Sequence, residues 1–226
     1  MIVEAPGPGT RGWLARPVLD VAPALLGAHL TTVLDGETVT IRLTEVEAYD
    51  GARDPGSHAY RGETLRNTVM FGPAGHLYVY RHMGLHHCAN VVTGVPGSAS
   101  AVLLRAGEVL HGHEVARERR QRRGVARTDV DLARGPARLA VALGLDLSLY
   151  GIDLLDPDSP ARLEPAASAP DHLTGPRVGV AGPGGHADQF PWRFWLPGEP
   201  TVSTYRPGSP PRRRNAARSG PTSTAH

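Results

Sequence analysis

The stretch Leu43–Gly51 reads L-T-E-V-E-A-Y-D-G. Directly before it, Val39 and Ile41 alternate with threonines, a period of two that is typical of a β-strand with one buried face. Continuing this period places Glu45 and Glu47 on the apolar face. Burial raises the pKa of a carboxyl group that has no partner, and such a group is suited to act as a general base. The alternative is that the strand leaves the core here and that both glutamates are solvated.

This strand is predicted to form a β-hairpin with the segment before it. His29–Leu34 and Thr38–Val46 are separated by Asp35-Gly36, a pair that suits a two-residue turn with positive φ. After the strand, Gly51–Gly75 is rich in glycine, proline and polar residues, and it is long for a simple connection. We expect a functional loop over a site. Its polar residues include His58, Arg61, Arg66 and Asn67.

A second hairpin and a third strand follow that loop. The predicted strands are Leu77–Arg81, His86–Val92 and Ala101–Ala106, with Met83 and Gly84 near the tip between the first two. Alternation predicts which side chains share a face within each strand. These sets are Tyr78 with Tyr80, His86 with Cys88 and Asn90, and Leu103 with Arg105.

The rest of the chain carries helix and strand signals without an internal repeat. A helix is predicted from its cap Asp20 to Leu26, closed by Gly27, and a helical, arginine-rich segment follows Gly107. A further helix is opened by Gly135-Pro136 and ended by Gly144. Beyond it, we predict a loop over Asp156–His172 and strands at Arg177–Ala181 and Trp192–Leu196. Residues 1–12 and 207–226 are expected to be tails, the second arginine-bearing and disordered, which leaves one domain over residues 13–206.

Length and composition indicate one domain. With 226 residues, 40% of them hydrophobic, the chain has enough apolar side chains for one core. No apolar run is long enough to span a bilayer, and the N-terminal residues lack the apolar core of a signal peptide. Cys88 is the only cysteine, so no disulfide can form within the chain. We expect a monomeric, cytoplasmic protein without a membrane partner.

The basic residues are unevenly distributed. All 24 are arginines, because the chain has no lysine. Between Trp13 and Arg206, 19 arginines stand against 21 acidic residues, a net charge of −2. Contact with a polyanion would therefore depend on local clusters, of which the segment Arg117–Arg127 is the densest. The other interpretation of that segment is a solvated helix face followed by a basic loop.

Three further patterns are weak. Three histidines and a cysteine between residues 82 and 88 suggest a metal site, but His86 and His87 point to opposite faces of a strand, and no second ligand pair has zinc-like spacing. No metal is therefore predicted. Gly182–Gly185 lacks the Lys-Ser/Thr pair of a phosphate loop and is interpreted as a turn. Cys88 has apolar neighbours, which favours core packing over a cysteine–histidine dyad.

A series of motifs in order gives a more specific signal. The motifs are T-E-V-E-A-Y-D-G, H-A-Y-R-G-E-T-L-R-N, M-F-G-P-A-G-H-L-Y-V-Y, G-L-H-H-C-A-N-V-V, A-V-L-L-R-A, G-P-A-R-L and G-P-R-V-G-V. Together they resemble the alkyladenine (3-methyladenine) DNA glycosylase family, colinearly from about Leu25 to Val202. The resemblance implies an α+β fold: a single compact domain with a curved, mostly antiparallel sheet, surrounding helices and a protruding β-hairpin.

The resemblance also implies a DNA repair activity. Such enzymes remove damaged purines, alkylated or deaminated, from double-stranded DNA by hydrolysing the N-glycosidic bond, which leaves an abasic site and needs no cofactor. An enzyme that attacks C1′ of a nucleotide must take it out of the helix, hold the base by stacking, and place a water opposite the leaving group.

Site residues are implied by motif position. Glu47 matches the water-activating carboxylate of the family, and Arg105 matches the residue that helps to position the water. Asn90 matches the residue that crowds the exocyclic amino group of guanine, and the backbone carbonyl of Val178 matches a further water contact. The residues that match the walls around the flipped base are Tyr49, His58 and Tyr80.

The tip of the second hairpin departs from the family pattern. Where members commonly have a tyrosine, three residues after the stacking tyrosine, this chain has Met83. Apolar wedges including methionine enter base steps, so Met83 is the predicted DNA-intercalating residue. A flexible methionine fills the vacated stack less well than a ring. The alternative is that Met83 is only a tip residue.

The absence of lysine bears on mechanism. Bifunctional glycosylases form a Schiff base through an amine, and only the α-amino group of the N-terminal tail is available here, so a monofunctional hydrolase without lyase activity is predicted.

Two other functions remain open. A non-enzymatic protein that binds damaged or bent DNA would not need Glu47, and a hydrolase of free nucleosides would need neither a wedge nor an arginine cluster.

Overall fold

Strand β2 (Glu37–Tyr49) carries both glutamates and lies inside the sheet of the computed structural model, which describes residues 10–209. It pairs with β1 (His29–Leu34) along one edge and with β5 (Ser100–His111) along the other. Beyond the end of β1, the short strand β8 (Arg193–Trp195) pairs with the C-terminal half of β2. All three pairings are antiparallel.

Shorter strands and four α-helices complete the described part of the chain. The strands are β3 (Leu77–His82), β4 (His86–Thr93), β6 (Ala161–Glu164) and β7 (Leu173–Gly175), in the order β3-β4-β5-β2-β1-β6 with β7 beside β8. The helices are α1 (Arg11–Leu14), α2 (Val18–Ala24), α3 (His113–Gln121) and α4 (Pro136–Leu143). This arrangement confirms the predicted α+β domain with an antiparallel sheet.

One face of the sheet forms the hydrophobic core with α2 and α4. Pro136 and Gly144 bound α4 as the sequence predicts, and its buried residues are Leu139, Ala140, Ala142 and Leu143. The strand residues on this face include Val39, Ile41, Leu43, Val79, Val91 and Leu104. Burial of each large aliphatic side chain stabilises the fold by roughly 1.5–3 kcal/mol.

A β-bulge in β2 changes which of its residues face that core. The register with β5 shifts between Leu43 and Glu45, and the core row that includes Leu43 continues at Val46 and Ala48. Glu45 and Glu47 therefore lie on the opposite face, so the prediction that they share the core face is wrong. Neither glutamate has solvent-exposed surface, so the alternative of two solvated glutamates is also wrong. Segments from later in the chain cover this second face.

Both predicted hairpins are confirmed. Asp35 and Gly36 have positive φ angles of 54° and 79° at the turn between β1 and β2. Met83 and Gly84 have φ angles of 49° and 72° at the turn between β3 and β4. Glycine adopts this backbone region readily, whereas methionine does so rarely.

Strand β5 is longer than the sequence predicts. It continues through Gly107 to His111, and α3 begins only at His113. A Cβ atom at Gly107 would lie 2.2 Å from Cγ2 of Ile41 on the neighbouring strand. Glycine is therefore required here for the close approach of two strands, and it does not end the strand.

Three other predictions need correction. Helix α2 begins after Pro17, and Asp20 lies in its first turn without capping it. The predicted loop Asp156–His172 contains β6, which is short but pairs with β1. The predicted strand Arg177–Ala181 is a turn region, in which Gly179 has a positive φ of 74°.

The described residues also bear on the ends of the domain. Arg11 lies in α1, and its Nη2 is 2.5 Å from Oδ2 of Asp153, so folded structure begins before the expected boundary at Trp13. The expectations for residues 1–9 and 210–226 lie outside the described residues. Over residues 10–209, none of the helices has the length and apolar character needed to cross a membrane.

Candidate active site

A pocket of about 460 Å³ opens on the face of the sheet opposite the core. This volume is within the usual range of small-molecule sites. The strand residues that line it are Tyr49, Tyr78, Tyr80, His82, Cys88, Asn90, Ala101, Leu103 and Arg105. The predicted shared faces of Tyr78 with Tyr80, of Cys88 with Asn90 and of Leu103 with Arg105 are thus confirmed, whereas His86 does not line the pocket. Loop residues around positions 55–58 and 178–181 complete the pocket.

Aromatic rings form one wall of the pocket. Tyr78 and Tyr80 stack with centroids 5.7 Å apart and an interplanar angle of 29°. His58, which keeps exposed surface, meets Tyr80 edge-on at 4.5 Å, and its Nδ1 lies 3.0 Å from the Tyr78 hydroxyl. Burial, followed by the nearby Arg66 and His82, lowers the pKa of His58 to about 4. The ring is therefore neutral at neutral pH.

Tyr49 forms another wall and is backed by a buried arginine. The guanidinium carbon of Arg177 lies 4.5 Å from the centroid of the Tyr49 ring. Arg177 and Asp54 are both fully buried and form a bidentate pair, with N–O distances of 2.5 and 2.7 Å. Arg177 also donates to the carbonyl oxygens of Ala48 and Gly184. The Arg177 guanidinium therefore fixes the Tyr49 ring and anchors the loop that contains Arg177.

The Glu47 carboxylate lies beneath the pocket, in contact with three residues that line it. Oε2 accepts the Tyr49 hydroxyl at 2.9 Å, and Oε1 accepts the Val178 backbone N–H at 2.6 Å. Nη1 of Arg105 is 3.3 Å from the same Oε1. These three contacts fix the position of the carboxylate, which has no exposed surface. Burial and the charge of Glu47 raise the pKa of Tyr49, which keeps its hydroxyl protonated as a donor.

Glu45 is bound more completely than Glu47. Its Oε1 accepts from Nε of Arg105 at 2.9 Å and from Nε of Arg193 at 2.6 Å, and its Oε2 accepts the Ser203 N–H at 2.7 Å. Burial favours the neutral acid, but Arg105, Arg193 and Ser203 outweigh it, so the pKa of Glu45 is lowered. The raised pKa expected of an unpaired buried carboxyl group does not apply to Glu45, because this group is paired. Glu45 holds Arg105 in position next to Glu47.

Asn90 and Cys88 lie side by side on the pocket face of β4. The Asn90 amide donates to the Tyr78 carbonyl at 3.0 Å, which fixes the side chain in the pocket wall. Burial raises the pKa of Cys88, so its thiol is protonated and does not act as a nucleophile. Among residues 10–209, no three His, Cys, Asp or Glu side chains are grouped as metal ligands.

The tip of the β3–β4 hairpin is apolar and exposed. Met83 is 81% exposed and Leu85 is 72% exposed. The tip directly follows Tyr80 and His82, both of which line the pocket. An exposed apolar tip therefore projects beside the mouth of an aromatic pocket.

Comparison with known proteins adds the family. The family model described as Methylpurine-DNA glycosylase (MPG) matches residues 12–200. The chain belongs to this family. Its substrate is therefore DNA, and the process is DNA repair. The sequence resemblance to alkyladenine DNA glycosylases is confirmed.

Individual relatives agree with the family match. A protein of Streptomyces avermitilis is 54% identical over 210 residues, which cover 92% of this chain and 96% of the relative. A protein of Nocardia farcinica is 55% identical over 192 residues, covering 82% of this chain and 85% of the relative. A protein of Leifsonia xyli subsp. xyli is 52% identical over 201 residues, covering 88% and 92%. Each bears the name "Putative 3-methyladenine DNA glycosylase".

The residues that match the methylpurine-DNA glycosylase motifs converge in the structure. Six of the residues named from the sequence line the pocket: Tyr49, His58, Tyr80, Asn90, Arg105 and Val178. Glu47 lies just beneath them, and Met83 lies outside on the hairpin tip. For Val178, the contact in the structure is its backbone N–H to Glu47, whereas the sequence pointed to its carbonyl.

Sequence reasoning missed four residues that build this glycosylase site: Asp54, Arg177, Arg193 and Ser203. Arg193 had a visible signal, because it is a charged residue in the apolar run around Trp192 and Phe194. Arg177 precedes Val178 in a matched motif, but the segment Arg177–Ala181 was predicted to be a strand, and no role was assigned to the Arg177 side chain. Asp54 and Ser203 had no local signal, because their partners are 123 and 158 residues away in sequence.

Proposed function

We propose that this protein flips damaged purines out of duplex DNA and hydrolyses their N-glycosidic bond with a water activated by Glu47. The observation that carries the proposal is the position of a buried carboxylate directly beneath an aromatic pocket. Both alkylated and deaminated purines belong to the proposed substrate class. A base inside the duplex cannot reach such a pocket, so the nucleotide must leave the stack.

The aromatic walls suit a flipped purine. The rings of Tyr49, His58 and Tyr80 offer π faces and edges, and every purine has a π face that can stack on them. Alkylated purines that carry a positive charge gain a cation–π attraction as well. In this proposal Asn90 restricts the pocket, so that the exocyclic amino group of normal guanine is crowded.

Glu47 and Arg105 carry the hydrolytic step in this proposal. A water held by Glu47 attacks C1′, the bond from C1′ to the base nitrogen breaks, and its electron pair leaves with the base. Glu47 accepts the proton of the water as general base. Arg105, 3.3 Å from Glu47 and tied to Glu45, helps to place the water. The backbone at Val178 holds Glu47 from the other side.

Met83 serves as the wedge in the proposed flipping step. Its exposure and its position at the tip next to the pocket suit insertion into the gap left by the flipped nucleotide. Its backbone has a positive φ of 49°, a conformation that costs a methionine roughly 1–2 kcal/mol. A strained, exposed apolar residue at this position is better explained by a contact with DNA than by the stability of the free protein.

The proposed activity is tested by product analysis. Duplexes that each carry one defined lesion, alkylated, deaminated or etheno, are incubated with the protein, and the released bases are identified by mass spectrometry. The proposal predicts release of free damaged base from duplex DNA and little release from the matching mononucleoside. Binding without release would instead indicate a non-enzymatic damage-binding protein. Equal release from the mononucleoside, with little salt dependence, would indicate a nucleosidase.

A further inference from the structure

A second pocket lies directly beside the base pocket. Its volume is about 330 Å³, and it shares Arg105 and Val178 with the base pocket. The other lining residues are Asp131, Arg134, Arg138, Ser203, Thr204 and Arg206. Apart from Val178 the lining is polar or charged, so this pocket is chemically unlike the aromatic one.

The second pocket has an excess of positive charge. Arg105 is paired with Glu45, and Arg138 lies 3.3 Å from Asp131. In the part of the chain that the structure describes, neither Arg134 nor Arg206 forms an ion pair with a carboxylate. Two guanidinium groups thus lack an anionic partner.

The remaining donors suit a tetrahedral oxyanion. Nε of Arg134 donates to the Val202 carbonyl at 3.0 Å, which anchors the side chain, and its terminal nitrogens contact no carboxylate among the described residues. Thr204 contributes a hydroxyl group to the lining, whereas the Ser203 hydroxyl already donates to Glu45 Oε1 at 2.9 Å. Guanidinium groups match the geometry of phosphate oxygens, and charge-assisted bonds of this kind are about twice as strong as neutral ones.

The location of the pocket ties it to the base pocket. Pro136, at the start of α4, lines the base pocket, and Arg138, two residues later, lines the second pocket. Ser203 lines the second pocket, and its N–H binds Glu45, the partner of Arg105. A group in the second pocket is therefore adjacent to a base in the first, as a backbone phosphate is to its own nucleotide.

We propose that the second pocket binds a phosphate group, namely a backbone phosphate of the strand that supplies the flipped nucleotide. This inference rests on the proposed function of the base pocket. Neutralisation of the phosphate by Arg134 and Arg206 would hold the strand in the position from which the nucleotide enters the base pocket.

The test combines charge removal on the protein with charge removal on the DNA. A methylphosphonate replaces one phosphate at a time on either side of a single hypoxanthine in a duplex, and affinity is measured for each duplex. The variant is Arg206→Gln, an exposed side chain whose loss leaves the core intact. The matched control is Arg162→Gln, on the edge strand β6 away from both pockets.

We expect the wild type to lose about tenfold in affinity at one methylphosphonate position, the scale of one charge-assisted contact. At that position the methylphosphonate should not lower the affinity of Arg206→Gln any further, whereas it should lower the affinity of Arg162→Gln as much as that of the wild type. On unmodified DNA, Arg206→Gln should also reduce the slope of log affinity against log salt by about one. Equal losses in wild type and Arg206→Gln at every position would overturn the inference.

A small-anion site is distinguished by inorganic phosphate. Suppose that phosphate raises the midpoint of thermal unfolding of the wild type but not of Arg206→Gln, and that at every methylphosphonate position the two proteins lose the same affinity. The pocket then binds free anions, and its assignment to a backbone phosphate is wrong. Failure of the proposed function has a different signature. In that case no base is released from any damaged duplex, while the coupling between Arg206 and one phosphate can still be measured.

Discussion

At the scale of single residues, Glu45 and Glu47 show how two carboxylates two positions apart acquire different roles. Glu45 accepts from two arginines and a backbone N–H, and these contacts lower its pKa. Glu47 accepts from Tyr49 and Val178, has one nearby arginine, and lies under the pocket. We infer that Glu45 organises the cations of the site and that Glu47 acts on the water.

The lowered pKa of Glu45 predicts a pH dependence of stability. In the unfolded chain Glu45 titrates near its ordinary value of 4.5, and in the folded protein it titrates lower. Its contribution is therefore complete above about pH 4.5 and is lost as the pH falls through the folded pKa. Between pH 7 and pH 3, we expect the unfolding free energy of the wild type to fall more than that of Glu45→Gln, measured by urea denaturation. Equal falls would show that Glu45 is not the responsible group.

The pair of Asp54 and Arg177 predicts a large stability effect. Asp54→Asn leaves the fully buried Arg177 without its counter-charge, which costs roughly 3–5 kcal/mol. The control is Asp50→Asn, which breaks a pair with the exposed Arg53 and should cost at most about 1 kcal/mol. Chemical denaturation measures both. Similar values for the two variants would contradict a structural role for the buried pair.

At the scale of elements, the bulge in β2 decides the location of the site. Sequence alternation predicted the strand correctly, but it extended the core face through Glu45 and Glu47. A one-residue irregularity exchanges the two faces of a strand, and nothing in the local sequence marks this one. Alternation was reliable in β3 and β4, where the pairing is regular over the pocket residues. It also predicted the shared face of Leu103 and Arg105 in β5, although the register with β2 shifts beside Arg105.

Substitution of Met83 at the tip of the β3–β4 hairpin distinguishes a role as DNA wedge from a role in the turn alone. Asparagine tolerates positive φ better than methionine, so Met83→Asn should stabilise the tip by up to about 1 kcal/mol. Without a wedge, however, single-turnover excision of a well-paired lesion should fall by about tenfold or more, because unstacking costs a few kcal/mol. The loss should be smaller for a mispaired lesion. Met83→Ala should behave like Met83→Asn in excision.

The companion variant is Met83→Tyr, which places a ring on the tip. A ring stacks on the neighbouring bases, so this variant should excise the well-paired lesion at least as fast as the wild type and release the abasic product more slowly. If wild type and all three variants excise both lesions at equal rates, another tip residue is the wedge. The structure makes Leu85, 72% exposed, the next residue to test.

At the scale of the whole molecule, the arginine-rich segment is mostly structural. Of its arginines, Arg117 and Arg122 pair with acids, Arg119 donates to a carbonyl and Arg120 is buried. Arg123 and Arg127 are the exposed members without an ion pair among the described residues. Neither a free basic cluster nor a solvated helix face therefore describes most of this segment, because its helical members Arg117, Arg119 and Arg120 are half-buried or buried.

The sequence predicted the fold class, both hairpins and the residues of the pocket faces, because these depend on local periodicity and on motif order. It did not predict the Arg177–Asp54 pair or the network of Ser203 with Glu45. Those contacts join residues more than 100 positions apart, and their formation depends on how the late loops cover the sheet. Short strands such as β7 were not predicted either, because three residues are too few to show alternation.

The absence of lysine from the whole chain predicts the form of the product. Without an amine in the pocket, no Schiff base forms with C1′, so base release should leave an abasic site in an intact strand. Incubation of a labelled damaged duplex without alkali should yield no strand break until alkali is added. A covalent adduct trapped by borohydride would contradict this expectation.

The most direct test of the proposed mechanism is single-turnover excision by Glu47→Gln at saturating enzyme. Glutamine keeps the shape and can still accept through its one carbonyl oxygen, from Tyr49 or from Val178, but it cannot take a proton from water. We predict a rate lower than that of the wild type by roughly two to four orders of magnitude, with affinity for damaged duplex unchanged. Excision within a few-fold of the wild-type rate would contradict the assignment of Glu47 as the general base.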